Sequence, residues 1–182
     1  WDHVVGMLNF SPLFNSSFTF NIYGANKKTD INELQDKLLD TALWPVSKDM
    51  LNAKINFINL KKDLIQITDN INIEHTNHPH PNGATSYKIT IDDFSILYTT
   101  DCEHNNHLNK NVTNIAKDVD ILIHDAHFSK KDLPKHIGWG HSSWKDAVDV
   151  AKTSNVKQLI LYHFSPEYSD EVVSNIEVKA QK

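Results

Sequence analysis

The stretch Gly138-Trp-Gly-His141-Ser-Ser-Trp144 opens a segment that continues to His163-Phe-Ser-Pro166. Between the two histidines, apolar residues recur with the period of one buried helix face: Trp144, Ala147, Val148 and Ala151. The next run, Gln158-Leu-Ile-Leu-Tyr162, is typical of a buried strand. The segment therefore places His141 before a helix and His163 directly after a strand. A strand end is where side chains leave the core and can meet a ligand.

Working outward, alternating apolar residues predict further strands at residues 18–24, 55–60, 64–68, 71–75, 86–91, 94–99 and 121–123. Helices are predicted after Asp30, over residues 112–117 and from about Asp170. The chain is strand-rich first and then alternates helix with strand. This order predicts an α/β layered fold, and we expect a single domain over residues 1–182.

The composition of the chain argues against some classes of partner and location. The chain has 182 residues, a net charge of −5 and no arginine, which argues against a large nucleic-acid partner. No apolar run is long enough to span a membrane. The single cysteine, Cys102, cannot form an internal disulfide, which fits a reducing compartment, and we expect a cytoplasmic protein. The 11 histidines stand out more than any charge imbalance.

Several histidines and carboxylates stand at the ends of predicted elements: Asp2, His3, His80, Asp101, Asp125, His141 and His163. Neutral imidazoles with a few carboxylates are the ligands that zinc, manganese and iron take in proteins. A carboxylate between two such ions can bridge them, and paired ions activate water. The sequence therefore points to a metal site.

The contexts of these residues resemble the motifs of the metallo-β-lactamase superfamily, in the phosphodiesterase branch close to ribonuclease Z. Trp1-Asp2-His3 resembles the tail of its H-x-H-x-D-H motif, whose leading H-x-H is not in this sequence. The other matching segments, in family order, are His80-Pro-Asn-Gly to Tyr87, Leu97 to Asp101, Ile121 to Asp125, Gly140-His141-Ser142, and Leu159 to Pro166. The resemblance covers nearly the whole chain. It implies an αββα sandwich that lacks the first strands of its N-terminal half.

The resemblance also implies roles. Asp2, His3 and His163 would hold one divalent ion, with Asp101 bridging to a second. His80 would complete the second site together with two histidines that are not in this sequence. The two ions are expected to be zinc, with manganese or iron as alternatives. His78 also precedes a proline and is the rival to His80.

The same resemblance assigns the catalytic residues. Asp2 would orient or deprotonate the attacking water. His141 would face the substrate phosphate or protonate the leaving group, with Asp125 fixing its ring through the other nitrogen. Trp139 and Trp144 could form a pocket wall, although core packing is an equal alternative for Trp144.

The remaining histidines are predicted to lie on the surface or in loops: His75, His104, His107, His127 and His136. Glu103 and His104 recur as a pair in this branch, so lining of the pocket is an alternative for them. Cys102 is predicted to be a small packed residue.

The predicted function is hydrolysis of a small phosphodiester, with a cyclic nucleotide as one candidate, by attack of a metal-bound hydroxide. Ribonuclease Z, which processes transfer-RNA 3′ ends, carries a long arm between its third-motif histidine and the bridging aspartate. The interval from His80 to Asp101 holds only two predicted strands and a turn. Transfer-RNA processing is therefore the first alternative, and a non-catalytic sensor or partner-binding module is the second. Without the leading strands a sheet edge would be exposed, so a homodimer is also a hypothesis.

Overall fold

The computed structural model describes residues 2–25, 30–38, 45–61 and 63–181. The chain forms two compact units, residues 1–61 and 62–182. The single domain expected over residues 1–182 stays a prediction. Among the described residues, no helix is both long and apolar enough to cross a membrane.

In its described residues the first unit contains two short parallel strands, β1 (Thr19–Gly24) and β2 (Lys54–Asn59). One α-helix, α1 (Ile31–Leu38), and 3-10 turns at Asp2–Asn9, Ser11–Phe14 and Lys48–Met50 accompany them. Leu8 is the buried centre of a small apolar cluster that includes Ile31 and Phe57. The strand predicted to stop at Gly24 is confirmed, and the next begins one residue earlier than predicted.

The second unit is built on a six-stranded mixed sheet in the order β3-β4-β5-β6-β7-β8. The strands are β3 (Leu64–Thr68), β4 (Ile71–His78), β5 (Ala84–Ile91), β6 (Phe94–Thr99), β7 (Ile121–Asp125) and β8 (Gln158–Tyr162). β3 to β6 form an antiparallel meander, while β6, β7 and β8 are parallel. The predicted α/β class is confirmed.

Three helices accompany the described part of this sheet, and the first two connect its parallel strands. They are α2 (Lys110–Ile115), α3 (Trp144–Thr153) and the C-terminal α4 (Asp170–Ala180). α3 begins at a capping box, in which the Ser143 hydroxyl oxygen accepts from the Asp146 amide and the Asp146 carboxylate accepts from the Ser143 amide. Leu97, Leu122 and Val150 are fully buried where sheet and helices meet.

Strand direction places the site. β5 runs opposite to both β4 and β6, and β6, β7 and β8 are parallel, so β4, β6, β7 and β8 all point the same way. Their carboxyl ends therefore meet at one edge of the sheet. In α/β sheets this edge is where ligands bind.

The predictions for β8 and β4 need correction. The run 158–162 was expected to be buried, but Ile160 and Tyr162 are 39% and 46% exposed. β8 is an edge strand of its sheet, so only its alternate side chains, such as Leu159, pack against the core. β4 also runs on to His78, past the predicted end at His75, because its polar last residues pair with the start of β5.

Candidate functional site

Loops at the carboxyl ends of four strands bring the candidate site together. The Nε2 atom of His80, after β4, lies 3.6 Å from Oδ1 of Asp101, after β6. The same Asp101 oxygen lies 4.0 Å from Nδ1 of His141. Asp101 and His163 both have left-handed backbone, with φ of +52° and +60°. Such angles are uncommon outside glycine and recur at functional sites, where they aim a side chain.

The buried carboxylate of Asp125, at the end of β7, organises the site. Its Oδ2 accepts from Nδ1 of His141 at 2.9 Å, and its Oδ1 accepts from the amides of His127 and Ser142 at 3.0 and 3.1 Å. Burial raises the pKa of Asp125, but the hydrogen bonds from His141 and the His127 amide, together with the His163 ring at 3.7 Å, outweigh it and hold the pKa below its usual value. The carboxylate therefore stays ionised and fixes the His141 ring.

His127 lies in the loop after β7, one of the two settings predicted for it, and is partly buried against the site. Its ring stacks on that of His141 with centroids 4.3 Å apart, and it lies 5.1 Å from the ring of His163. Nδ1 of His127 donates to the backbone oxygen of His163 at 2.8 Å. A carbonyl only accepts, so the proton is on Nδ1. Burial lowers the pKa of His127 and favours the neutral ring.

Three histidines could hold a divalent ion. His127, His141 and His163 each offer one ligand atom, and these atoms lie within 4.8 Å of one another. In His127 and His141 the Nδ1 proton is engaged by an oxygen acceptor, which leaves Nε2 of each ring free to face either a metal ion or a substrate. Neutral nitrogen donors beside the Asp101 carboxylate fit zinc and similar ions.

Of the predicted site residues, the structure brings together those of the second unit: His80, Asp101, Asp125, His141 and His163. His3 is exposed in the first unit, and the Asp2 side chain lies outside the described part. The roles of Asp2 and His3 stay predictions.

His80 and His78 differ in their surroundings. His80 is packed beside Asp101, whereas His78 is only 6% exposed and neither of its ring nitrogens has a partner in good hydrogen-bond geometry among the described residues. Burial lowers the pKa of His78 to about 4. Gly140 backs the His80 ring closely: a β-carbon at Gly140 would overlap His80 and lie 2.8 Å from Cδ of Pro81.

The loop before His141 is held by Glu103, a buried residue with 5% exposure. Its Oε1 accepts from the Gly138 amide and its Oε2 from the Gly140 amide, both at 2.8 Å. The Ser142 hydroxyl donates to the backbone oxygen of Cys102. The segment that follows Asp101 therefore anchors the loop that carries His141. Cys102 is fully buried in the core, as predicted.

Behind the site lies a buried pair of histidines. One of them, His104, lies in a loop, as predicted, but is buried and not on the surface. The Asn109 amide donates to Nδ1 of His104, and Nδ1 of His124 faces the Asp125 carbonyl oxygen at 2.8 Å. The two Nε2 atoms are 3.2 Å apart. His104 must therefore donate from Nε2 to a bare Nε2 of His124. Burial lowers the pKa of both rings, to about 3 for His104, so the pair stays neutral.

The remaining histidines predicted to lie on the surface or in loops differ in their exposure. His107 is exposed, as predicted, whereas His75 and His136 are partly buried. His136 stacks on Phe128 at 4.3 Å.

Comparisons with known proteins bear on the family and the fold. The model of the family described as Anti-Pycsar protein Apyc1 matches residues 1–179. The ribonuclease Z of Archaeoglobus fulgidus is 42% identical over 76 residues, which is 42% of this chain and 24% of that protein. The metallo-β-lactamase fold protein YhfI from Bacillus subtilis superimposes with a TM-score of 0.71 and 21% identity, covering 98% of this chain and 64% of YhfI.

A further structure, Zn²⁺-bound PqqB from Methylobacterium extorquens, superimposes with a TM-score of 0.64 and 13% identity, covering 98% of this chain and 66% of PqqB. The chain spans about a quarter of the ribonuclease Z and about two thirds of the two structures. The metallo-β-lactamase fold and the ribonuclease Z-like branch, expected from the motifs, are confirmed.

Proposed function

This chain belongs to the Anti-Pycsar protein Apyc1 family, and from its site we propose that the protein hydrolyses a small phosphodiester with the help of bound divalent ions. A cyclic nucleotide is the candidate substrate. The observation that carries the proposal is the cluster of His80, Asp101, His127, His141 and His163, with Asp125 behind it, at one sheet edge.

The short chain between His80 and Asp101 supports a small substrate. β5 and β6 form one hairpin, joined by the two-residue turn Asp92-Asp93. This interval contains no inserted arm that could grip a large RNA. The net charge of −5 and the absence of arginine also favour a small ligand over a polyanion.

Each residue has a proposed role. His80, Asp101 and His163 would hold the ions, and Asp2 and His3 would contribute as the motif implies. His127 is a further candidate ligand. Such ions, when bound, supply Lewis acidity and lower the pKa of water to about 7.

His141 is proposed to act on the substrate side. Its Nδ1–H is held by the ionised Asp125, so Nε2 is the atom that can hydrogen-bond the phosphate or pass a proton to the leaving oxygen. Asp125 stabilises the positively charged ring that forms when His141 holds a proton.

The test compares substrates. The full-length protein, with zinc or manganese added, is assayed on a cyclic nucleotide and on a transfer-RNA precursor. The proposal expects turnover of the cyclic nucleotide to exceed cleavage of the precursor. Cleavage of the precursor at a matching rate would favour transfer-RNA processing. Tight cyclic-nucleotide binding without turnover of either substrate would instead indicate a sensor.

A further inference from the structure

We propose that Trp139 is a stacking platform for the aromatic base of the substrate, at the rim of the site beside His141. This inference rests on the proposed function and extends it, because it assigns the small phosphodiester to the nucleotides. Its basis is the exposure of Trp139, the way its loop is held, and its distance along the chain from His141.

The indole of Trp139 is presented to solvent. Trp139 is 58% exposed, although burying such a side chain would be favourable. Its ring contacts His136 at 4.7 Å and Phe128 at 6.4 Å between centroids, with interplanar angles of 79° and 71°. Both contacts are perpendicular, so neither neighbour stacks in parallel on the indole. The two rings therefore contact the indole without stacking on it in parallel.

The loop is built to hold that position. Glu103 accepts from the amides on both sides of Trp139, those of Gly138 and Gly140, at 2.8 Å each. Hydrogen bonds to a buried carboxylate are stronger than neutral ones. Both glycines have positive φ, +86° and +90°, a conformation that L-residues rarely adopt. The exposure of Trp139 is therefore a fixed feature of the loop.

Trp139 is also within reach of a ligand at His141. The two residues are separated only by Gly140, so their Cα atoms lie at most about 7 Å apart. A phosphodiester bound at His141 would thus extend its first substituent, the sugar and base of a nucleotide, toward the indole. Every nucleobase has a π-face, so stacking on an aromatic side chain tolerates any base. The chain has no arginine, which excludes guanidinium stacking in its place.

The test measures binding separately from turnover. Isothermal titration calorimetry compares a nucleoside 5′-monophosphate with ribose 5-phosphate, which has the phosphate and sugar but no base. In Trp139→Ala, affinity for the nucleotide is expected to fall about tenfold or more, the scale of base stacking. Affinity for ribose 5-phosphate should stay within about twofold. Trp139→Phe should retain most of the nucleotide affinity.

Ile137→Ala is the matched control, since Ile137 lies in the same loop and is 60% exposed. It should bind both ligands like the unchanged protein. Unchanged nucleotide affinity in Trp139→Ala, an equal loss for both ligands, or no nucleotide binding by the unchanged protein would overturn the inference. The inference would also be overturned if Trp139→Ala lost self-association on light scattering but kept its nucleotide affinity. Trp139 would then be a residue of a protein–protein contact. Trp139-dependent binding without hydrolysis would overturn the proposed function alone.

Discussion

A methyl group at Gly140 should damage the site through His80. In Gly140→Ala the new β-carbon would overlap the His80 ring and lie 2.8 Å from Cδ of Pro81 and 2.9 Å from Cγ of His80. Positive φ costs about 1–3 kcal/mol for a residue other than glycine, and overpacking adds about 1–3 kcal/mol. The free energy of unfolding should therefore fall by about 2–6 kcal/mol, and the displaced His80 should weaken metal binding by about tenfold or more.

Gly138→Ala separates the two costs. Gly138 has φ of +86° and donates to the same carboxylate as Gly140, but a β-carbon there meets nothing within 4 Å. The free energy of unfolding of Gly138→Ala should fall only by the backbone cost, about 1–3 kcal/mol, and its metal affinity should stay nearly unchanged. Urea unfolding and a zinc titration against a competing chelator measure both quantities. Equal losses of stability and of zinc affinity in the two variants would refute the steric argument.

The remaining predictions concern the buried polar groups. Because the pKa of His104 is lowered from 6.5 to about 3, the unfolded chain takes up a proton first as the pH falls. The free energy of unfolding should therefore fall by about 2 kcal/mol because of this residue when the pH is lowered from 7.5 to 5. Urea unfolding of the metal-free protein at the two pH values should show a smaller fall in His104→Gln than in the unchanged protein, and the same fall in His107→Gln. Glu103→Gln turns an amide NH₂ group toward a backbone N–H, so the free energy of unfolding measured with urea should fall by about 1–3 kcal/mol. Stability like that of the unchanged protein would contradict the claim that Glu103 holds the loop before His141. Asp125→Asn should lower phosphodiester turnover by about 10–100-fold in steady-state assays, because an amide cannot hold the His141 ring as an ionised carboxylate does; full activity would remove Asp125 from the mechanism.

The strand ends of the site could be predicted from sequence because the apolar alternation stops there. Asp101 and His163 each follow an apolar run by one or two residues, and the structure places both at one edge. β3, β6 and β8 have the predicted bounds. Helix α2 begins earlier than predicted, because the Asn109 side chain accepts from the first free amides of the helix.

The buried histidines were harder to predict. His127 is separated from its strand by Ala126, and its role depends on a hydrogen bond to the distant His163 backbone. One signal was available for His124: it lies two residues after Leu122, so strand alternation puts both side chains on the same buried face. No local pattern distinguishes His104 from the exposed His107, because its burial depends on contacts with His124 across the fold.

The measurement that tests the central claim most directly is hydrolysis of bis(p-nitrophenyl) phosphate by the full-length protein with added zinc or manganese. Asp101 lies between His80 and His141, so Asp101→Ala should abolish turnover. Asp93→Ala, in the exposed hairpin turn, is the matched control and should keep full activity. Turnover in Asp101→Ala equal to that of the unchanged protein would contradict the claim that Asp101 lies at the centre of a metal-dependent hydrolase site.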